Sequence, residues 1–255
     1  MIRVKKTCDI DIKRLEDHIG RDSKFVSFQT MNNGNVAMVF EIPMEKENAT
    51  RYAIKIHNRL GIQRQCSFTA IDSKLNNIIL NGYELYAIME EGEKITINRL
   101  EPETKEDLFP IEPGRISQVI GLAKESFMIA YEDGRVIEYF KGEPKVLREK
   151  GSKAAISFDF NRRYMVQADG LITRYDERGL LEYTTECETS DGFLLARGDR
   201  SVGLCIDGRF TEYAKEGGVF VKKEDIVDMD VKACSLVKDT AALYDGEMIR
   251  VYKLM

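Results

Sequence analysis

The amino-acid sequence predicts an all-β protein in which six four-stranded antiparallel units close into a ring. Three observations lead there: an Asp-Gly hairpin recurring at a nearly constant interval, room for two further strands between successive hairpins, and chain ends that complement each other.

The hairpin comes first. Aligned on Asp-Gly, the chain reads EDGRVIEYF from Glu132, ADGLITRYD from Ala168, IDGRFTEYA from Ile206 and YDGEMIRVY from Tyr244. The aspartates Asp133, Asp169, Asp207 and Asp245 are spaced by 36, 38 and 38 residues. Each is followed at +3 by an apolar residue (Val136, Ile172, Phe210, Met248) and at +5 by a charged one (Glu138, Arg174, Glu212, Arg250). Next come Tyr139, Tyr175 and Tyr213, or Val251 in the last copy. Asp-Gly between apolar runs is a hairpin signal, because a type I′ turn needs positive φ at both central residues. A weaker copy, EEGEKITINRL (90–100), lies 42 residues upstream, and RYAIKIHNRLG (51–61) matches as a strand followed by a turn.

The intervening strands come next. After RVIEYF come PKVLREK and KAAISFDFN before RYMVQ opens the following hairpin, so each unit is a meander of about 40 residues. That period is the one β-propeller blades show, whereas a sandwich would explain the strands but not the repeat. The last unit holds three strands, IVDMDVKACS, DTAALYDG and EMIRVYKLM, and stops at Met255. The chain begins with a lone strand, IRVKKTC, then a short helix, DIKRLEDHIG, with Ile12, Leu15 and Ile19 on one face and Gly20 at its end. The first strand is therefore expected to complete the last blade and leave no open edge. The expected blades are 21–68, 69–112, 113–150, 151–186, 187–225, and 226–255 with 1–9. Seven blades is the alternative count, and it would need about 36 residues per blade with no insertions.

Through these hairpins and the split last blade the chain resembles the β-propeller superfamily over essentially its whole length. The resemblance implies a fold and a binding style and carries over no catalytic residue. WD40 repeats carry Gly-His and Trp-Asp pairs; this chain is WD40-like in blade size but has no Trp and only two His, neither after a Gly. Kelch repeats carry Gly-Gly, which occurs here once, at Gly217-Gly218.

Composition narrows the function classes. The net charge of −5 and the scattered Lys and Arg argue against a nucleic-acid groove, although Arg162-Arg163 forms a local basic pair. No apolar stretch matches a signal peptide or a spanning segment, so neither secretion nor membrane crossing is expected. Five scattered cysteines without a CxxC pair suit free thiols in a reducing compartment, intracellular and cytoplasmic or nuclear, with no disulfides. His18 and His57 are too few for a histidine metal site, and no nucleophile elbow or phosphate-binding loop occurs. No metal, cofactor or catalytic residue is expected.

Two sets of candidate site residues remain. Read as inner strands, AISFDF, IVDMDV, VSFQ and CSFT alternate polar with apolar side chains. Asp159, Asp228 and Asp230, with Ser27, Gln29, Ser67, Thr69 and Ser157, would then face a water-filled axial tunnel. That acidic funnel could hold a cation, attract a basic peptide or serve a ligand-binding or enzymatic role, or be an ordinary hydrated wall. The second set lies in segments that break the period, 43–50 and 101–114, where Glu45, Lys46, Glu103, Lys105, Leu108 and Phe109 are expected to meet partner proteins. The repeated Tyr139, Tyr175 and Tyr213 suit blade-to-blade packing or an interface. The function expected from this balance is a non-enzymatic interaction scaffold within an intracellular assembly of proteins.

Overall fold

The computed structural model describes the chain except residues 1, 21, 31–33, 46–47, 82–83, 101–104, 124, 159–163, 177, 190–192, 198–200 and 238. β1 (Val4–Asp11) leads into helix α1 (Ile12–Ile19). Blade 1 holds β2 (Lys24–Thr30), β3 (Val36–Pro43), β4 (Ala49–Asn58) and β5 (Gly61–Ile71); blade 2 holds β6 (Lys74–Asn81), β7 (Glu84–Glu91), β8 (Lys94–Leu100) and β9 (Lys105–Ile111). Blade 3 holds β10 (Ile116–Ala123), β11 (Ser126–Tyr131), β12 (Val136–Phe140) and β13 (Glu143–Arg148); blade 4 holds β14 (Ala155–Phe158), β15 (Tyr164–Ala168), β16 (Leu171–Tyr175) and β17 (Leu181–Glu186). Blade 5 holds β18 (Phe193–Arg197), β19 (Ser201–Ile206), β20 (Arg209–Glu216) and β21 (Val219–Val227). Blade 6 holds β22 (Ala233–Val237), β23 (Thr240–Tyr244) and β24 (Met248–Leu254), with β1 as its fourth strand.

The ring thus has six blades, not seven, and closes as the chain ends foretold: β1 pairs antiparallel with β24 from Val4↔Leu254 to Asp11↔Met248. The first strand of every blade neighbours the first strand of the next, β22 included against β2, so these six strands surround the axis. Asp11 caps α1 by accepting the Arg14 N–H at 2.9 Å, and Gly20, at φ +149°, ends it.

Packing follows from strand alternation. In β11, Phe127, Ile129 and Tyr131 face blade 2 while Met128 and Ala130 face blade 4, so the whole strand is buried. Among the described residues one apolar cluster fills each of the six seams between blades. At about 25 cal/mol per Å² of apolar surface, these seams are the main favourable term holding the ring. The repeated tyrosines belong to them: Tyr139 and Tyr213 are buried and Tyr175 is partly buried.

The Asp-Gly hairpins divide into two kinds. Asp169 and Gly170 (φ +55° and +70°) and Asp207 and Gly208 (φ +47° and +75°) take positive φ at both positions, as a type I′ turn requires. In the copies at 133 and 245 only Gly134 and Gly246 do so. There the connections are longer, and the aspartate carboxylate accepts N–H groups two residues on, from Arg135 and from Glu247.

Two expectations about strand position are corrected. CSFT lies in β5, the outer strand of blade 1, so Ser67 and Thr69 are not axial. Ile226 and Val227 end outer strand β21, and the inner strand of blade 6 starts only at Ala233. Asp228 and Asp230 therefore sit in the crossing connection between them. Outer and inner strands both alternate with period two, so alternation alone does not tell them apart.

Candidate functional site

In a four-stranded antiparallel blade, the turn between second and third strands and the connection to the next blade emerge at the same end. One face of the ring therefore carries all the Asp-Gly hairpins, the interblade connections and α1. Blade 1 is taller there: β3, β4 and β5 run 8, 10 and 11 residues, against 6, 5 and 6 for β11, β12 and β13. Each added pair of residues lengthens a strand by roughly 7 Å.

Between this raised hairpin and blade 2 lies a cleft of about 670 Å³. Among the described residues its ionisable lining is four carboxylates, Glu41, Glu45, Asp72 and Glu90, and one amine, Lys74. The backbone fastens it: Asp72 donates its N–H to the Asn48 carbonyl at 3.0 Å, and Asn48 and Asp72 are left-handed at φ +58° and +52°. Asn and Asp tolerate that conformation better than bulkier residues. Met44 on the hairpin and Ile71 at the end of β5 leave 41 % and 49 % of their surface exposed. Among the described residues no three His, Cys, Asp or Glu side chains are placed to hold a metal ion. The cleft thus offers a diffuse negative field beside exposed apolar atoms, not a chelate.

Of the residues expected in the period-breaking segments, Glu45 is in this cleft. Lys46 and Glu103 lie outside the described residues, as do Asp159 and Arg162-Arg163. Most of 101–114 is not a loop, since 105–111 forms outer strand β9. Pro110 is accommodated there because an outer strand has no partner on its far side. Lys105 begins that strand, while Leu108 and Phe109 pack partly buried against the blade 2–blade 3 seam, with Phe109 6.1 Å from Phe127 and 6.3 Å from Tyr139 between ring centroids. Glu41, Asp72 and Glu90 went unmarked in the sequence, because they come from separate strands and turns that only the fold brings together.

The axial cavity formed by the described residues is lined by no charged side chain. Its volume is about 170 Å³, and it is lined by Ser27, Gln29, Asn77, Ser117, Gln118 and Ser235 with apolar neighbours and Cys234. Gln29 donates across to the Val119 carbonyl at 2.9 Å, and Gln118 makes a two-way amide pair with Ile156 at 2.8 and 2.9 Å. Asp228 is fully exposed 3.9 Å from Arg209, and Asp230 pairs with Lys232 at 2.5 Å.

Among the described residues, Cys8 is the thiol that approaches a histidine, its Sγ 3.8 Å from His57 Nδ1. Burial pushes the Cys8 thiol up and the His57 imidazole down, which favours a neutral pair over thiolate and imidazolium. All five cysteines are free. No helix among the described residues is long and apolar enough to cross a membrane.

No protein-family pattern and no curated relative matches the chain. Solved structures do. BBS1N, solved in complex with ARL6DN, is 12 % identical with a TM-score of 0.51, covering 100 % of this chain and 97 % of that one. Hsv2 of Kluyveromyces lactis is 9 % identical with a TM-score of 0.50, covering 87 % and 90 %. YCF48 of Cyanidioschyzon merolae is 11 % identical with a TM-score of 0.48, covering 99 % and 88 %. At such identities the likeness is one of fold.

Proposed function

We propose that this propeller is a non-enzymatic interaction scaffold, a subunit of an intracellular protein assembly, that receives a basic segment of a partner in the cleft beside the 43–50 hairpin. The observation that carries the reading is the cleft itself: among the described residues four carboxylates stand against one amine, with exposed Met44 in its lining and exposed Ile71 next to Asp72 in the chain. Clustered charge of one sign raises the encounter rate with an oppositely charged partner, and adjacent apolar surface supplies affinity once it docks. A ring of paired strands suits the role, because it holds the cleft's walls in fixed relation. The structural neighbour BBS1N, itself solved with a protein partner, lends support by analogy of fold alone.

The test compares affinity purifications of the wild-type chain and the Glu45→Lys/Glu90→Lys variant from the native cell, read by mass spectrometry. The expected result is a stoichiometric partner with the wild type that is lost from the folded variant. Recovery of the same partner at the same stoichiometry with both chains would refute the cleft's role.

A further inference from the structure

The seam where the ring closes holds a second, oppositely charged site. Strand β4 reads Arg51-Tyr52-Ala53-Ile54-Lys55-Ile56-His57, and alternation sorts it into two faces. Tyr52, Ile54 and Ile56 join the core between blades 1 and 2, while Ala53 packs with the cluster between blades 6 and 1. Arg51, Lys55 and His57 share Ala53's face. A cationic strand face is thus turned toward the joint made by the chain's two ends.

Beside it, at the C-terminal end of α1, lies a cavity of about 360 Å³. This size falls within the range of roughly 300–1,000 Å³ typical of small-ligand sites. Its polar lining is His18, Arg51, Lys55, Gln65 and Ser67, and no described lining residue is acidic, although the chain carries 43 acidic residues. Ile19, Ile42 and Ala53 supply an apolar wall.

Lys55 is the telling residue, for it is only 9 % exposed. Its ammonium makes no hydrogen bond or ion pair with any described residue, yet it is not sealed from solvent. The stem is buried while the charged end, which no described residue pairs, stays open to an anion. The Arg51 guanidinium stands on the same wall, with Nη2 donating to Ser67 Oγ at 3.2 Å.

We propose that this cavity is a binding site for a small oxyanion, a phosphate or carboxylate group carried on an apolar body, with Lys55 as its charge anchor and Arg51 and Gln65 as further donors. A planar guanidinium and an ammonium together match such an anion by charge-assisted hydrogen bonds. The bare alternative is a lysine whose stem covers the seam while its head stays in water.

Amide chemical shifts of the isotope-labelled full chain separate the two. Sodium phosphate and sodium hexanoate are each titrated against sodium chloride at matched ionic strength. The expected result is saturable shifts at residues 18–19, 51–55 and 65–67 with phosphate or hexanoate but not with chloride. Tighter binding of phosphate assigns a phosphorylated ligand, and tighter binding of hexanoate assigns a carboxylate with an apolar chain. Lys55→Gln is expected to raise the dissociation constant at least tenfold. Shifts no different from those with chloride, or scattered over the surface, would overturn the proposal from the wild-type protein alone. So would equal affinity in a folded Lys55→Gln protein.

Discussion

Replacing Gly134 by alanine tests whether the Asp-Gly hairpins fasten one blade to the next. Gly134 sits at φ +85°, and an added Cβ would lie 2.3 Å from the Ser152 carbonyl oxygen and 2.6 Å from both the Gly151 oxygen and Arg148 Nη1. Two of those three atoms are backbone of the connection into blade 4 and cannot rotate away. Relieving the contact would disturb the bonds that hold this junction: Gly151 N–H to the Asp133 carbonyl at 2.9 Å, and Arg148 Nη1 to Gly134 and Ser152 oxygens at 2.6 and 2.9 Å. Left-handed strain costs roughly 1–2 kcal/mol and forced overpacking roughly 1–3 kcal/mol, so the expected loss is about 2–5 kcal/mol. Gly217→Ala is the control. Its φ is +57° but nothing lies within 4 Å of the new Cβ, leaving only strain. The assay is urea unfolding followed by far-ultraviolet circular dichroism, with the midpoint compared at equal slope. A Gly134→Ala protein no less stable than Gly217→Ala would refute the packing of this turn against the next blade.

Further expectations follow from the same contacts. Tyr139→Phe keeps its ring in the seam but loses a closed cycle in which Glu112 N–H donates to Tyr139 at 2.9 Å and Tyr131, 3.2 Å away, donates to the Glu112 carbonyl; urea unfolding should read a loss of about 1–2 kcal/mol. Tyr213→Phe, whose hydroxyl bonds no described residue, should be nearly neutral in the same assay. Hydrogen bonds from Ser152 and then Arg148 hold the Asp169 carboxyl below its ordinary value of 3.8, and the Leu180 backbone N–H, with smaller help, does the same for Asp176. Such groups stabilise the fold above the unfolded-state pKa and lose that contribution as pH falls through the lower folded-state value, so the melting temperature should drop below about pH 4, less steeply in Asp169→Asn. Removing residues 1–11 deletes the β1–β24 ladder and takes Ile2 and Ile10 from two seam clusters; that chain should fail to give a monodisperse monomer in gel filtration.

Much of this architecture was legible because its signals are local. Gly170 and Gly208 mark their turns by what only a residue without Cβ does cheaply, and the continuous apolar run of β11 marks a strand covered on both faces. The complementary ends were legible by counting strands. What stayed hidden depends on where the ring puts a strand after it closes. Ser67 and Ser27 look alike in sequence, yet one lies on an outer strand and the other on the axis. Asp228 and Asp230 alternate as strand residues do but belong to a crossing connection, and Pro110 with its acidic neighbours reads as a loop but ends an outer strand. The cleft was half legible. Glu45 advertised itself through a break in the period, while Glu41, Asp72 and Glu90 meet it only through the fold.

The most direct test of the scaffold account is the native mass of the protein taken intact from its cell. The account predicts a stoichiometric complex with other proteins, well above the 29.2 kDa of the chain. A lone monomer of that mass, under conditions that preserve assemblies, would contradict it.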